Sequence, residues 1–452
     1  MTTITDLING PHRDYARYVV FSRAIPSLID GMKPSQRKIF WTATNHAKKF
    51  TKTAALCGQV IVEADYHHGD SSLQDAASLM AAPWANNLPL LEGEGNFGSR
   101  IVQIPAAARY TSVRVNPEVL KIFLDSEDCI QSPDGNEPAF FLPVLPIVAV
   151  NGASGMAVGF ATDIFPRSIS SVKNFIGEIL SGKLTEEAAR SSHIKPSFPQ
   201  FFGSVKQFEE NGRTSWIVSG KIERNTTGKR NIITVTELPY GYDREGYIEK
   251  LEKLIEKGVI NDYTDETSGG KFRFAVKVSS AFEKKEDGQI LADLKLVVKM
   301  TENIVVISPD GKVNTYPTVG SLLWDFVQYR LSVYPKRFAR ELAGVSDLLE
   351  FAKMKKILID AVSIHPENYF NLRSSKDKIR IQFKDVLTGA LSFSEEAIDQ
   401  NMSRLIGQPV YQFTEEAGKE TEKEIKLLQA EVKRIGSLKP TTEFLSDLEK
   451  IK

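Results

Sequence analysis

The sequence predicts a multidomain α+β protein: an N-terminal winged-helix module, a mixed α/β middle region, and a long antiparallel two-helix arm. Three observations predict it. Helical stretches, a turn, a further helix and a strand-like run follow one another within the first 115 residues. The middle of the chain alternates β-branched runs with amphipathic helices, and after residue 320 two apolar series recur at spacings of three and four.

In chain order, "DYARYVVFSRAIPSLID" and "KPSQRKIFWTATNHAKKF" read as helices, the second with Ile39, Phe40 and Ala43 as an apolar stripe opposite Arg37 and Lys38. After the turn "YHHGD" comes the helix "SSLQDAASLMAAPWAN", with Ser71 or Ser72 as its N-cap. Beyond the loop "LEGEGNFGSR" the run "RYTSVRV" reads as a strand. Helix, turn, helix and then a β-wing is the order of a winged-helix module, in which a helix pair meets DNA. From about 140, "FFLPVLPIVAVNGASGMAVGFAT" is apolar and rich in glycine and proline, as buried short strands and tight turns are. "SWIVSGKIE", "NIITVTELP", "FRFAVKVS" and "NIVVIS" read as strands, "REGYIEKLEKLIEKG" as a helix and "SPDGKVNTY" as a hairpin. Val327, Leu331, Tyr334, Phe338, Leu342, Val345, Leu349 and Ala352 define one long helix, which Pro335 should kink. Ile425, Leu428, Val432 and Ile435 define its antiparallel partner, with a helical knot at roughly 366–410 between them. The expected domains are 1–155, 156–320 and 321–452.

Composition narrows the function classes. With 452 residues, 42% hydrophobic and 25% charged, the chain reads as an ordinary globular protein of about three domains. No apolar run approaches the roughly 20 residues of a membrane span, and "MTTITDLINGPHRDYARY" has no signal-peptide pattern, so a cytoplasmic protein without a membrane partner is expected. Cys57 and Cys129 are the only cysteines, too few for a disulfide framework or a zinc site. Lysine plus arginine balances aspartate plus glutamate, 57 against 57. Between residues 10 and 60, however, Arg13, Arg17, Arg23, Lys33, Arg37, Lys38, Lys48, Lys49 and Lys52 face only Asp14 and Asp30. Local concentration of charge, not net charge, makes an electrostatic footprint for phosphates.

Tyr110, in "IPAAARYTSVRV", raises the chemical question. A lone tyrosine commonly fills half-buried surface. A nucleophilic one must sit among cations, because a phenol with a pKa of about 10 is only about one part in a thousand ionised at neutral pH. Arg109 is its neighbour, but adjacent residues diverge on a strand or helix, so other cations must come from elsewhere. Arg23 in "SRAIP", Lys33, Arg37 and Lys38 in "DGMKPSQRKIFW", and His67 and His68 on a turn before a helix are the candidates. The adjacent histidines have no third ligand at metal-site spacing, and neither "EGEGNFG" nor "NGASGMAVG" has the spacing of a nucleotide-binding loop.

"YARYVVFSRAIPSLIDGMKPSQRKIFW", "YHHGDSSLQDAA", "EGEGNFGS", "AAARYT" and "VNGASGMAVGFAT" together resemble the consecutive signatures of the DNA-breakage subunit of type IIA topoisomerases. The "KPSQRK" and "YHHGD" variants are nearer to the eukaryotic and T-even bacteriophage enzymes than to bacterial gyrase. The resemblance implies a winged-helix breakage domain, a tower, and a coiled coil ending in a C-gate dimer contact. It implies Tyr110 as the nucleophile that forms a 5′-phosphotyrosyl link, Arg109 as its phosphate-stabilising neighbour, and Arg23 and His68 close to the chemistry. Lys33, Arg37 and Lys38 would contact DNA, and Met156, where the family usually has isoleucine, would wedge between base pairs. Ser71 and Asp75 fall where bacterial relatives anchor quinolone drugs. The metal-binding TOPRIM motif and the ATPase motifs do not occur in the sequence. The resemblance therefore implies that Mg²⁺ and ATP are bound by a partner subunit, and that two copies of this chain act together on double-stranded DNA.

Overall fold

The computed structural model describes residues 8–125, 129, 132, 136–210, 212–224, 231–369, 375–390 and 393–451. Two compact units emerge: Met1–Arg330 together with Phe444–Lys452, and Leu331–Glu443.

In the first unit, helix α1 (Arg13–Val19) runs into a π-helical turn, Val20–Ala24, and leaves the helix at Ile25, whose backbone is extended. Helix α2 (Pro34–His46) starts with proline at its first position, where the missing N–H costs nothing. Strand β1 (Thr51–Lys52), α3 (Thr53–Glu63), α4 (Asp70–Ala81), β2 (Leu91–Glu94) and β3 (Ser112–Val115) complete the module, with an antiparallel sheet in the order β1-β3-β2. This is the expected winged-helix order. Burial explains it: Ile39, Ala43, Leu56, Val60, Leu73 and Ala77 are fully buried and come from three helices. Phe40 adds ring contacts to Phe123 at 4.9 Å and Phe141 at 5.1 Å.

Three local expectations are corrected. The strand begins at Ser112, so Arg109 and Tyr110 lie on a turn. Helix α4 begins at Asp70 with Gly69 as its cap position, and neither Ser71 nor Ser72 caps it: Ser72 Oγ donates back to the Gly69 carbonyl. The apolar run after 140 contains a short helix rather than a strand at Ile147–Asn151, where Ile147, Val148, Ala149 and Val150 are buried on every side and not on one alternating face.

After α5 (Pro117–Leu120) and that helix, α6, come the hairpin β4 (Ala153–Ala157) and β5 (Phe160–Ile164), then α7 (Ile169–Leu180) and α8 (Glu186–Ser191). The expected boundary at 155/156 falls inside β4. The mixed region has β6 (Ser204–Glu210), β7 (Arg213–Ser219), β8 (Lys221–Arg224), β9 (Ile232–Glu237), α9 (Arg244–Glu256), β10 (Asp262–Asp265), β11 (Phe274–Lys277), α10 (Ser280–Glu283), α11 (Asp287–Asp293) and β12 (Val297–Met300). Its sheets run β12-β7-β6 and β10-β11-β9-β8. The second buries Ile233, Val235, Phe274 and Val276 against Tyr247, Leu251 and Leu254 of α9. The Pro-Asp-Gly turn joins β13 (Ile304–Ile307) to β14 (Val313–Tyr316) as expected.

Helix α12 (Val319–Ile364) is continuous in its helical run through Pro335. In the second unit it is followed by α13 (Pro366–Tyr369), α14 (Lys376–Gly389), α15 (Glu395–Ile406) and α16 (Glu415–Gly436), with α17 (Pro440–Glu449) beyond. Gly418 meets Ile359 and Glu443 pairs with Arg337, so the returning chain is antiparallel to α12. Met354, Leu358, Phe383, Leu387, Ile398 and Met402 close the helical knot.

Candidate functional site

Tyr110 is displayed by a clamp. Ala108 and Thr111 on either side of it are buried, and their carbonyls accept the backbone N–H groups of Ala54 and Thr53 at the free start of α3. Thr53 and Thr111 also share a hydroxyl hydrogen bond of 2.8 Å. Tyr110 itself closes the turn through its N–H to the Ala107 carbonyl at 2.8 Å, and remains 66% exposed. On this turn the two neighbours do not diverge: the Arg109 guanidinium lies 4.7 Å from the Tyr110 ring centroid. The expectation that Arg109 points away holds only for a strand or helix. A fixed positive charge beside an exposed phenol favours any negative charge that develops there.

Of the distant candidates, Arg23, Arg37, Lys38, His67 and His68 lie elsewhere in the same unit, around a cavity of about 850 Å³ that Tyr18, Tyr66 and Glu137 also line. The π-helical turn presents Arg23, whose Nη2 lies 2.7 Å from His68 Nδ1. The Tyr18 hydroxyl lies 2.7 Å from His68 Nε2, and Tyr66 meets the imidazole edge-on at 5.4 Å. Burial, then the nearby Arg23 and His67 charges, push the His68 pKa below its ordinary value. His67 turns outward to Asp65 at 3.0 Å. Among the described residues, no hydrogen bond, ion pair or ring contact joins Tyr110 to this cluster.

The basic block is not one phosphate-facing surface. Arg37 is buried, with Nε 2.7 Å from Asp30 Oδ2 and Nη2 donating to the Met32 carbonyl at 3.1 Å. Asp30 is fully buried and also accepts the N–H groups of Met32 and Phe141. Arg37 thus braces the interior and does not stand on a polar face opposite the apolar stripe. Lys38 is paired with Glu137 at 2.8 Å and donates to the Ala64 carbonyl. Lys33 reaches the Ser154 carbonyl at 2.7 Å, and burial lowers its pKa. That contact holds the β4–β5 hairpin on which Met156, opposite Ala161, is 87% exposed. Ser71 and Asp75 are exposed on α4. The sequence alone does not single out Tyr18, Tyr66, Asp30 or Glu137. Only proximity in space marks them, since Tyr18 and His68 are 50 positions apart.

Among the described residues no group of three or more histidine, cysteine or carboxylate side chains is placed to hold a metal ion. No helix there is long and apolar enough to cross a membrane.

The family model for the DNA gyrase/topoisomerase IV A subunit matches residues 23–450. The chain belongs to that family. It is 34% identical to the DNA topoisomerase medium subunit of Enterobacteria phage T4, across 99% of this chain and 98% of that one. It is 30% identical to the DNA gyrase A subunit of Thermotoga maritima, across 88% of this chain but 53% of the gyrase chain. The DNA-binding, cleavage and re-ligation domain of Plasmodium falciparum topoisomerase II superposes on 99% of this chain with a TM-score of 0.82 at 25% identity, and the match spans 63% of that chain. The family's architecture therefore extends over both units.

Proposed function

We propose that this chain is the DNA-breaking and rejoining subunit of an ATP-dependent type IIA DNA topoisomerase. The observation that carries the proposal is Tyr110: an exposed phenol on a clamped turn with a guanidinium over its ring, within a family of that activity. Tyr110 Oη loses its proton and attacks a backbone phosphorus. The bond from phosphorus to the 3′ oxygen breaks, that oxygen takes up a proton, and a 5′-phosphotyrosyl link remains. The reverse attack by the 3′ hydroxyl reseals the strand without a ligase. Arg109 stabilises the negative charge gathered in the pentavalent transition state, and Arg23, held by its hydrogen bond to His68, supplies a further polar contact to the phosphate backbone. Met156 enters between base pairs as an apolar wedge. Ser71 and Asp75, exposed on α4, are proposed as drug contacts.

Among the described residues no donor set fits a resident metal. Mg²⁺ and ATP are proposed to bind on partner TOPRIM and ATPase domains. Two copies of this chain, joined through the winged-helix domain and the C-gate, supply one tyrosine to each DNA strand. The expected outcome is relaxation and decatenation in the cytoplasm of the host cell.

Denaturant trapping tests the reading. The chain is mixed with end-labelled duplex, Mg²⁺ and a TOPRIM and ATPase partner, and then quenched with detergent. Covalent label should map to Tyr110 through a 5′ phosphate. Tyr110→Phe should remove all covalent DNA while leaving Kd within a few-fold. Tight binding without covalent DNA from the unsubstituted chain would instead leave a DNA-binding architectural protein.

A further inference from the structure

We propose that Tyr18 is a positioning residue of the cleavage site, and that its hydroxyl donates a hydrogen bond to the DNA phosphate that Arg23 also contacts. This rests on the function proposed above and adds a residue to it.

The argument is one of donors and acceptors. A guanidinium can only donate, so His68 Nδ1, 2.7 Å from Arg23 Nη2, must be the acceptor and carries no proton. A neutral imidazole keeps its one proton on the other nitrogen. Nε2–H therefore donates to the Tyr18 oxygen at 2.7 Å. That oxygen's lone pair is used and its own proton is not, so Tyr18 has a donor left over. Tyr18 is 41% exposed and lines the same cavity as Arg23, His67 and His68. The ligand class that suits a surplus hydroxyl donor beside a guanidinium is an anionic phosphodiester oxygen.

The direction of the chain matters as well. Arg23 polarises the imidazole, the imidazole polarises the phenol, and each bond strengthens the next. With both ring nitrogens engaged, His68 is not a proton acceptor for Tyr110. Its role is to transmit the Arg23 charge and to fix where the Tyr18 proton points. The lowered His68 pKa agrees with a ring held neutral between Arg23 and the His67–Asp65 pair, with Tyr18 and Tyr66 as its other neighbours.

Two measurements on the full-length chain test this. The first is histidine-selective ¹⁵N NMR at pH 7.5, with the His68 signal assigned by His68→Gln. His68 should show the neutral Nε2–H form, and adding uncleaved duplex should shift its Nε2 resonance in the unsubstituted chain but not in Tyr18→Phe. A merely structural hydrogen bond would not respond to DNA. An Nδ1–H form, an imidazolium, or an identical DNA response in both chains would overturn the relay. The second is cleavage with the partner chains: Tyr18→Phe keeps the ring and should form covalent complex about tenfold more slowly, with Kd for duplex within about twofold. An unchanged cleavage rate would overturn the proposal. Absence of covalent DNA from the unsubstituted chain would defeat the proposed function, whereas the NMR comparison would still decide whether Tyr18 faces phosphate.

Discussion

At the scale of single residues, Arg37 separates what the sequence carries from what only folding decides. In a helical projection an arginine beside Lys38 falls on the polar face. Nothing local reveals that Asp30, buried beneath the same helix, needs a partner. Because both groups are out of water, removing one leaves an uncompensated buried charge. Arg37→Ala should therefore cost about 3–5 kcal/mol of stability. Urea unfolding of the DNA-free chain reads this directly as a lower midpoint. An unaltered midpoint with weakened DNA binding would return Arg37 to the phosphate-binding set. Tyr110 is legible for the opposite reason: its signal lies in a contiguous motif, and the neighbour that completes it is the adjacent residue in the chain. Its partnership with Arg109 is hidden only because the backbone there is a turn, which a strand-like run of residues does not reveal.

At the scale of elements, the β4–β5 hairpin joins the site to the rest of the module. A Cβ at Gly155 would lie 2.1 Å from the Ala24 carbonyl oxygen and 3.2 Å from Lys33 Nζ. The hairpin is thus pressed against the π-helical turn that carries Arg23. Gly155→Ala should force the two apart at about 1–3 kcal/mol of overpacking and lower cleavage with it. Gly159, at the hairpin's tip, has a φ of +80°, and a methyl group there would meet nothing within 4 Å. Its replacement by alanine should cost only about 1–2 kcal/mol of backbone strain and spare the cleavage rate. Equal cleavage defects in the two variants would dissociate the hairpin contact from Arg23. Met156 on the same hairpin makes a separate prediction. Met156→Ala should reduce the bend of bound duplex, read as a lower end-to-end energy-transfer efficiency, since a wedge must fill the gap between base pairs that it opens. The element's existence is legible from its Gly-rich apolar run, but the α6 helix before it is not. A short apolar run suits strand or helix equally, and only the packing of Ile147, Val148, Ala149 and Val150 on all sides decides it.

At the scale of the whole molecule, the long apolar series in α12 and α16 are the most legible feature. Their period persists over many turns, and no short-range alternative competes with it. The division of the chain is less legible. The compact units part at Leu331, inside an unbroken helix, where no proline- or glycine-rich linker marks a boundary. The proposed mechanism places its strongest demand at this scale as well. One tyrosine per chain can break one strand, so a double-strand break needs two copies acting on opposite strands of one duplex. Mixed dimers of the unsubstituted chain and Tyr110→Phe, isolated by two different affinity tags and joined to the TOPRIM and ATPase partner, should therefore nick supercoiled plasmid after detergent quenching. They should yield little linear product, and each nick should carry one 5′-linked protein. Linear DNA at the level of the unsubstituted dimer would mean that a single Tyr110 serves both strands in turn. A complete loss of nicking would mean that the two sites fire only together, because the charge arrangement at one tyrosine depends on an intact phenol at the other.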